Sequence, residues 1–472
     1  MSMEQERNFA ESLSETPSVL RYSDMIKVGT PIADTQIHTL IPSNGGTFSP
    51  NQQIRIPFNI PTDSFANLKG AYLNYTINNS TTNSKILYLD PVIGGAGIID
   101  TWRVVSGTGA LLEEIQHYSV IYGICADMVS EDHRANHLAI MERSSATPAV
   151  VAGLSQGLAA GTDLTGVAGR GNNIIPGDGN VRISHKPMSG LFNADRLCPL
   201  GFATGTSYVE ITLPSVNNPF MVSSGDVGET LGWTISNVEL VCPVLRMGSE
   251  FNSSFRQLLS AGVPINWHST SYHNVQSSVS QGVSQITNTV SARKRSVKSI
   301  ISCLRRTADL TSNAVDSNTA RRSGGITQWN YEVGGIQYPA KDIKQNSALA
   351  ITASGLNFGE NFAQLMNCFA NLGNIYTGTC IAQDTFIADN DLTKASKISY
   401  GLDLESYGHS DVQSGKNLAN QGLPIVFNAT INSGAATSFL AAANTTGLLD
   451  TFLMYDVIYT LDGVSGTISA SS

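Results

Sequence analysis

Apolar and polar residues alternate with a period of two in many short stretches of the 472-residue chain, which predicts an all-β protein built as two tandem sandwiches or barrels. Two further observations support the doubling. The alternating stretches fall into two sets separated near residues 246 to 262. The chain is also longer than the ~250–300 residues at which a single core stops growing, so each half has length enough for a core of its own.

In the first set, Ile54, Ile56, Phe58 and Ile60 alternate with Arg55, Pro57 and Asn59. That spacing puts one face in a core and the other in water. Ala71, Leu73, Tyr75 and Ile77 repeat the pattern; a short run, Ile86 to Leu89, follows, then Ile98 to Val105 with Trp102 and Val104 on one face. Val209, Ile211 and Leu213 come much later, and Trp233, Ile235, Val238, Leu240, Cys242 and Val244 close the set. The second set opens with Ile265 and Trp267 and continues with Val297, Ser299, Ile301 and Cys303 on one face and Ile300, Ser302 and Leu304 on the other. Trp329, Tyr331 and Val333 alternate with polar neighbours, as do Ile398, Tyr400, Leu402 and Leu404, and Ile425, Phe427, Ala429 and Ile431. Leu453, Tyr455, Val457, Tyr459 and Leu461 make the last strand. Helices are few. Residues 111 to 124 begin as a strand and shift to helical spacing through Ile115, Tyr118 and Tyr122; 357 to 373 place Phe358, Phe362, Leu365, Phe369 and Leu372 on one helical stripe, with Gly373 as a stop. One helical stretch in each half hints at duplication.

These patterns divide the chain into an N-terminal arm, 1–45, a first β unit, 46–248, and a second, 249–472. Residues 144–206 read as a long Ala/Gly/Thr-rich loop insertion in the first unit, and a loop of that length in a compact domain is usually functional or disordered.

Charged residues are 14% of the chain, against about 25% in ordinary globular proteins, so Ser, Thr, Asn and Gln supply most of the surface polarity. A neutral surface suits a protein covered by copies of itself. The net charge of -9 argues against wholesale wrapping of nucleic acid, which needs Lys and Arg to neutralise phosphate. The scattered Cys125, Cys198, Cys242, Cys303, Cys368 and Cys380 include no C-x-x-C pair and no zinc spacing, and read as reduced, mostly buried thiols. Residues 1–24 lack the basic start and apolar core of a secretory signal, so the chain is expected in the cytosol or nucleus. The N-x-[ST] triplets at Asn74, Asn78, Asn79, Asn252, Asn428 and Asn444 then read as chance. No apolar run approaches the ~18 residues needed to span a bilayer.

Four motifs bear on chemistry. Gly153-Leu-Ser155-Gln-Gly157 matches the nucleophile-elbow spacing but sits in Ala/Gly-rich loop without the flanking strand and helix that strain the serine outward. His133 and His137 stand four apart without the metalloprotease glutamate between them, and read as surface histidines. Gly415-Lys416 is followed by Asn417 in place of the P-loop hydroxyl. The one basic cluster is Arg293, Lys294, Arg295, Lys298, Arg305 and Arg306, with Arg321 and Arg322 shortly after. It is either a surface facing DNA or an acidic neighbour, or a charged edge that blocks stray strand pairing, and no interleaved aromatics mark base readout. No catalytic, cofactor or metal site is expected.

In their order along the chain, GTFSPNQQIRIPFNI (46–60), IIDTWRVVSGTGALLEEIQHYSVIYGI (98–124), WTISNVELVCPVL (233–245), SVKSIISCLRRT (296–307) and WNYEVGGIQYPAKDIK (329–344) resemble the double jelly-roll major capsid proteins of eukaryotic DNA viruses, above all those of polinton-like viruses and virophages, in the adenovirus-like lineage. The resemblance implies two tandem eight-stranded jelly rolls with a few short helices in loops. It also implies a homotrimer forming a pseudo-hexameric capsomer of an icosahedral virion, with neighbouring capsomers, penton and minor or cement proteins as partners. Permanent trimer contacts should bury well over ~2,000 Å². The 144–206 insertion matches no part of the pattern and is expected as an outer tower or a contact to a neighbour. The rival readings are a tandem single jelly-roll coat protein of an RNA virus, and a β-sandwich carbohydrate-binding protein or glycosidase, which needs two carboxylates across a cleft. The adjacent Glu113 and Glu114 do not establish that geometry.

Overall fold

A computed structural model describes residues 34–130, 133–144, 173–216, 219–222, 230–313, 318–345, 357–369, 378–381, 383–387, 395–405, 414–419, 424–432, 438–440 and 445–472. Sixteen strands carry the architecture. The first eight are β1 (Asp34–Leu40), β2 (Gln53–Pro57), β3 (Tyr72–Asn79), β4 (Thr101–Val105), β5 (Leu111–Ile115), β6 (Asn180–His185), β7 (Tyr208–Thr212) and β8 (Trp233–Arg246). The second eight are β9 (Ile265–Val279), β10 (Gln285–Val290), β11 (Val297–Arg306), β12 (Ile326–Val333), β13 (Ile336–Lys344), β14 (Tyr400–Asp403), β15 (Ile425–Ile431) and β16 (Gly447–Leu461).

All pairings are antiparallel, and the two sets are wired identically. The first pairs as β1-β8-β3-β6 and β2-β7-β4-β5, the second as β9-β16-β11-β14 and β10-β15-β12-β13. Each set therefore places its first strand beside its eighth and its second beside its seventh, the nested Greek-key wiring of a jelly roll. Two such rolls follow one another in one chain, as the alternating patterns predict. Thr47–Phe48 and Ser64–Ala66 also pair with β8, Ile468–Ser471 pairs with β16, and Leu87–Leu89 lies between Phe220–Met221 and Ile174–Ile175 in a small separate sheet.

The interiors follow from the period-two rule. Ile54 and Ile56 of β2, Trp102 and Val104 of β4, and Val209 and Ile211 of β7 turn inward and are buried. The second roll repeats this with Trp329, Tyr331, Phe427 and Ile286. The two tryptophans occupy equivalent places: Trp102 pairs with Ile115 across the β4–β5 hairpin, and Trp329 with Ile343 across β12–β13. Each inward aliphatic or aromatic side chain contributes about 1.5–3 kcal/mol through burial. Buried apolar residues of both rolls join in one contiguous cluster.

Helix α1 (Tyr118–Asp127) follows β5, α2 (Ser249–Ser260) links the rolls, and α3 (Gly359–Asn367) follows β13. The switch from strand to helix expected within 111–124 is therefore present. The expected helix over 357–373 ends earlier, at Asn367; Cys368 and Phe369 form a turn, and Leu372 and Gly373 lie outside the described residues. Two segments differ more from the sequence reading. Residues 34–40, expected in an arm, form β1, paired along its length with β8. Within the expected loop insertion, residues 180–185 form β6, a full member of the first sheet. Val181 and Ile183 give β6 only two apolar inward positions besides His185, too short an alternation to stand out beside a Pro-Gly-Asp-Gly turn. The Gly153–Gly157 motif lies outside the described residues.

Because successive strands reverse direction, connections alternate between the two ends of each roll. Those after the first, third, fifth and seventh strands gather at one end and include the two longest, 116–179 and 345–399. The opposite end carries short turns such as 106–110 and 334–335, together with α2. There Phe65, Phe202 and Phe255 cluster with ring centroids 4.7–5.2 Å apart, and Arg256 grips Asp63 through two hydrogen bonds of 2.7 and 2.5 Å.

Candidate functional site at the seam between the rolls

The rolls meet where β5, α1 and the Gly190–Asn193 turn of the first face β9, the 318–322 segment and the Ile468–Ser471 strand of the second. Most polar contacts across this seam are buried. Glu113 of β5, 3% exposed, accepts hydrogen bonds from Ser189 Oγ, Gly190 N (2.6 Å) and Leu191 N (3.4 Å), and from Ser271 Oγ on β9. Burial pushes its carboxyl above the ordinary glutamate range, and those four hydrogen bonds pull the other way without cancelling the rise. At the far end of α1, Asp127 forms a buried ion pair with Arg321, whose guanidinium also donates to Lys397 O at 2.9 Å. The Asp127 carbonyl accepts from Cys380 N (3.1 Å) and Thr379 Oγ1 (2.6 Å).

Between these two anchors, Ser119 Oγ donates to Asn318 Oδ1 at 3.1 Å, Asn318 Nδ2 to Gly97 O at 3.3 Å, and Thr319 Oγ1 to Asp90 Oδ2 at 2.7 Å. Asp90 Oδ1 in turn holds the backbone N–H groups of Val92 and Ile93. Gly123 lets α1 approach closely: a Cβ there would lie 2.7 Å from Thr319 Cγ2. Cys125 faces Tyr272 of β9, and burial raises its thiol to about 12, which keeps it protonated and unreactive. The seam thus positions one roll on the other through directional, desolvated contacts, which fix geometry better than apolar packing alone.

Behind the seam lies a second buried network in the first roll. Tyr118 Oη is 2.7 Å from His185 Nε2, His185 Nδ1 is 2.8 Å from Glu142 Oε1, and Tyr122 Oη donates to both Glu142 oxygens at 2.9 Å. The Met188 N–H donates to Tyr118 Oη at 2.7 Å, so the chain runs as tyrosine hydroxyl to imidazole to carboxylate, closed off from solvent.

The basic cluster is divided by the fold. Arg305 is buried against Asp450 (2.6 Å), Arg306 pairs with Asp309, and Lys298 lies 3.0 Å from Glu405 and 3.5 Å from Asp456. Burial works against the Lys298 charge, yet those two carboxylates hold its ammonium above the usual lysine range. Lys294 sits over the Tyr455 ring at 4.0 Å, and burial lowers its pKa. Arg293 and Arg295 are exposed. Arg322 joins Arg306 on Asp309, at 2.7 Å. His133 and His137 stack in the open with ring centroids 4.8 Å apart, and among the described residues no group of three metal-ligating side chains converges. Lys416 donates to Tyr338 Oη at 2.7 Å, an edge contact between strand and loop. Glu114 lies 3.4 Å from Arg103 on the sheet surface while the Glu113 carboxylate is enclosed in the seam, so these adjacent carboxylates point to opposite faces of β5 and do not oppose one another across the pocket that both residues line. None of the six cysteines, all among the described residues, forms a disulfide.

Sequence reasoning missed the seam residues Asp90, Asp127, Arg321 and Glu113 as a group. A carboxylate inside an apolar run, as in LLEEI or VIYGICADMV, was the available signal, because a buried charge requires a partner.

Two jelly rolls of identical wiring, locked in tandem by a polar seam, define the double jelly-roll class. Among solved structures the chain is similar to VP54 of PBCV-1, from a crystal structure fitted into a reconstruction of the virophage Sputnik, with a TM-score of 0.56 and 9% identity over 95% of this chain and 99% of that one. The quasi-atomic PBCV-1 virus capsid gives a TM-score of 0.56 and 9% identity over 96% and 99%. The Faustovirus major capsid protein gives 0.55 and 9% over 94% of each chain. No protein-family model matches the sequence, and no curated protein matches it. The chain has the fold of these capsid proteins.

Proposed function

We propose that the chain is the major capsid protein of an icosahedral DNA virus, a structural block of which three copies form a pseudo-hexagonal capsomer in the virion. One observation carries the reading: the same eight-strand wiring occurs twice in one chain, and the likeness to capsid proteins covers 94–95% of that chain, both rolls and not one of them. The two rolls act as domains divided in the region of α2, each supplying one side of the block. The end that carries the two longest connections, 116–179 and 345–399, suits an outward surface, and the end with the shortest turns and α2 suits the inner one. Neighbouring capsomers, penton and minor capsid proteins are the partners this role requires. Arg293 and Arg295, the exposed remnant of the basic cluster, are the residues left to meet packaged DNA or an acidic neighbour.

Native mass spectrometry of the full chain tests the reading. A stable species of three chain masses at micromolar concentration is expected; a monomer at every concentration tried contradicts it.

A further inference from the structure

Toward the short-turn end of the seam, a pocket of about 250 Å³ opens between the two rolls. Leu111 and Leu112 of β5 form one wall; His273 of β9, Lys294, and Tyr455 and Val457 of β16 form the other. Lys294 belongs to the connection between β10 and β11, and Leu111 directly follows the 106–110 turn, which places the pocket at that end. It is smaller than the ~300–1,000 Å³ of sites for drug-sized ligands, so it suits a single side chain.

Lys294 differs from the rest of the enclosed basic residues. Lys298 has Glu405 and Asp456, Arg305 has Asp450, Arg306 and Arg322 share Asp309, and Arg321 has Asp127. Lys294 is half-buried, and its ammonium meets the Ser472 hydroxyl at 3.0 Å and the Tyr455 ring at 4.0 Å, neither of which carries a negative charge. Burial lowers its pKa, and no carboxylate among the described residues raises it again. Burial, and after it the Lys294 charge, also lower the pKa of His273, so that wall presents one ammonium and a neutral imidazole. A partly desolvated cation without a counter-ion is costly, and a carboxylate entering the pocket removes that cost.

We infer that this pocket seats one carboxylate, the Asp or Glu side chain of an extended segment of a partner protein, with Lys294 as its counter-ion and His273 as a hydrogen-bond donor. The leucines and Val457 cover the carbon stem of such a side chain. Arg293 and Arg295, exposed on either side of Lys294, meet further acidic residues of the same segment. A phosphate of packaged DNA suits the pocket less well. Glu114 lines it too and opposes a strongly charged group, and duplex binding draws on many Lys and Arg contacts to successive phosphates.

A partner at this end of the block rests on the capsid reading, and the test separates the two. Isothermal titration calorimetry is run on the full chain with the peptide Gly-Leu-Asp-Leu-Gly, acetylated and amidated so that aspartate is its single carboxylate, and with its Asn counterpart. The parent chain is expected to bind the Asp peptide, and the Asn peptide about tenfold more weakly or not at all. Lys294→Met keeps an apolar stem over Tyr455 and is expected to weaken the Asp peptide to the same degree; His273→Gln is expected to weaken it less. Circular dichroism checks that each variant keeps its fold, and if Lys294→Met does not, the two peptides and His273→Gln decide. A folded parent that ignores the Asp peptide at millimolar concentration, binds both peptides alike, or binds as well after Lys294→Met overturns the inference. A duplex DNA oligonucleotide that needs Lys294 when the peptide does not overturns it as well, in favour of phosphate. Sedimentation velocity is run on the same samples. A trimer that ignores the peptide leaves the capsid reading intact, whereas a monomer that binds it overturns that reading and keeps the carboxylate site.

Discussion

Asp127 and Arg321 bury opposite charges where α1 of one roll meets the 318–322 segment of the other. Desolvating both ions is costly, so the pair adds little net stability by comparison with apolar residues of the same shape; its effect is to penalise any other docking. Asp127→Ala leaves the guanidinium buried without its counter-ion and is expected to destabilise the chain by about 3–5 kcal/mol in urea unfolding. Replacing both, as Asp127→Leu with Arg321→Met, should recover most of that loss. Glu113 gives a pH signature. Its native pKa is raised by burial, so the folded chain holds that proton more tightly than the unfolded chain. The resulting stability is complete below the ordinary glutamate value of about 4.3 and is lost as pH rises through the raised native value. Glu113→Gln should therefore flatten the fall in urea midpoint with rising pH over that window, and an unchanged slope would show that Glu113 does not titrate there.

At the scale of elements, α1 reads the seam through Gly123. Gly123→Val places a branched side chain against Thr319 without touching any sheet, and overpacking of this kind costs about 1–3 kcal/mol. The expected result is faster amide exchange in α1 and in 318–322 with the strands of both rolls still protected. How much of each element was legible depended on which faces it buries. β2, β4, β12 and β15 each bury one face, so Ile54 and Ile56, or Phe427 and Ala429, announce them by alternation. β1 is exposed on nearly every residue, and its DTQIHTL carries no burial signal; only its pairing with β8 makes it a strand. β9 was legible at Ile265 and Trp267 alone, because beyond them Ser269, Ser271 and Asn274 are buried polar residues, and a rule that equates burial with apolar side chains passes over them. The basic cluster misled for a related reason. Lys298, Arg305 and Arg306 are close in sequence, but of the carboxylates that hold them only Asp309 is local; Glu405, Asp450 and Asp456 lie roughly 100 residues or more further along the chain.

For the whole molecule, the two rolls share one contiguous apolar cluster and a seam of directional contacts, so they form a single body with long connections at one end. A body of two like halves joined by a heterologous contact is suited to ring closure, and three copies supply six rolls. Cryo-electron microscopy of the purified protein tests most directly whether this chain forms such a block. Class averages should show a hexagonal outline with six lobes and true threefold symmetry. Isolated two-lobed particles at high concentration would contradict the account.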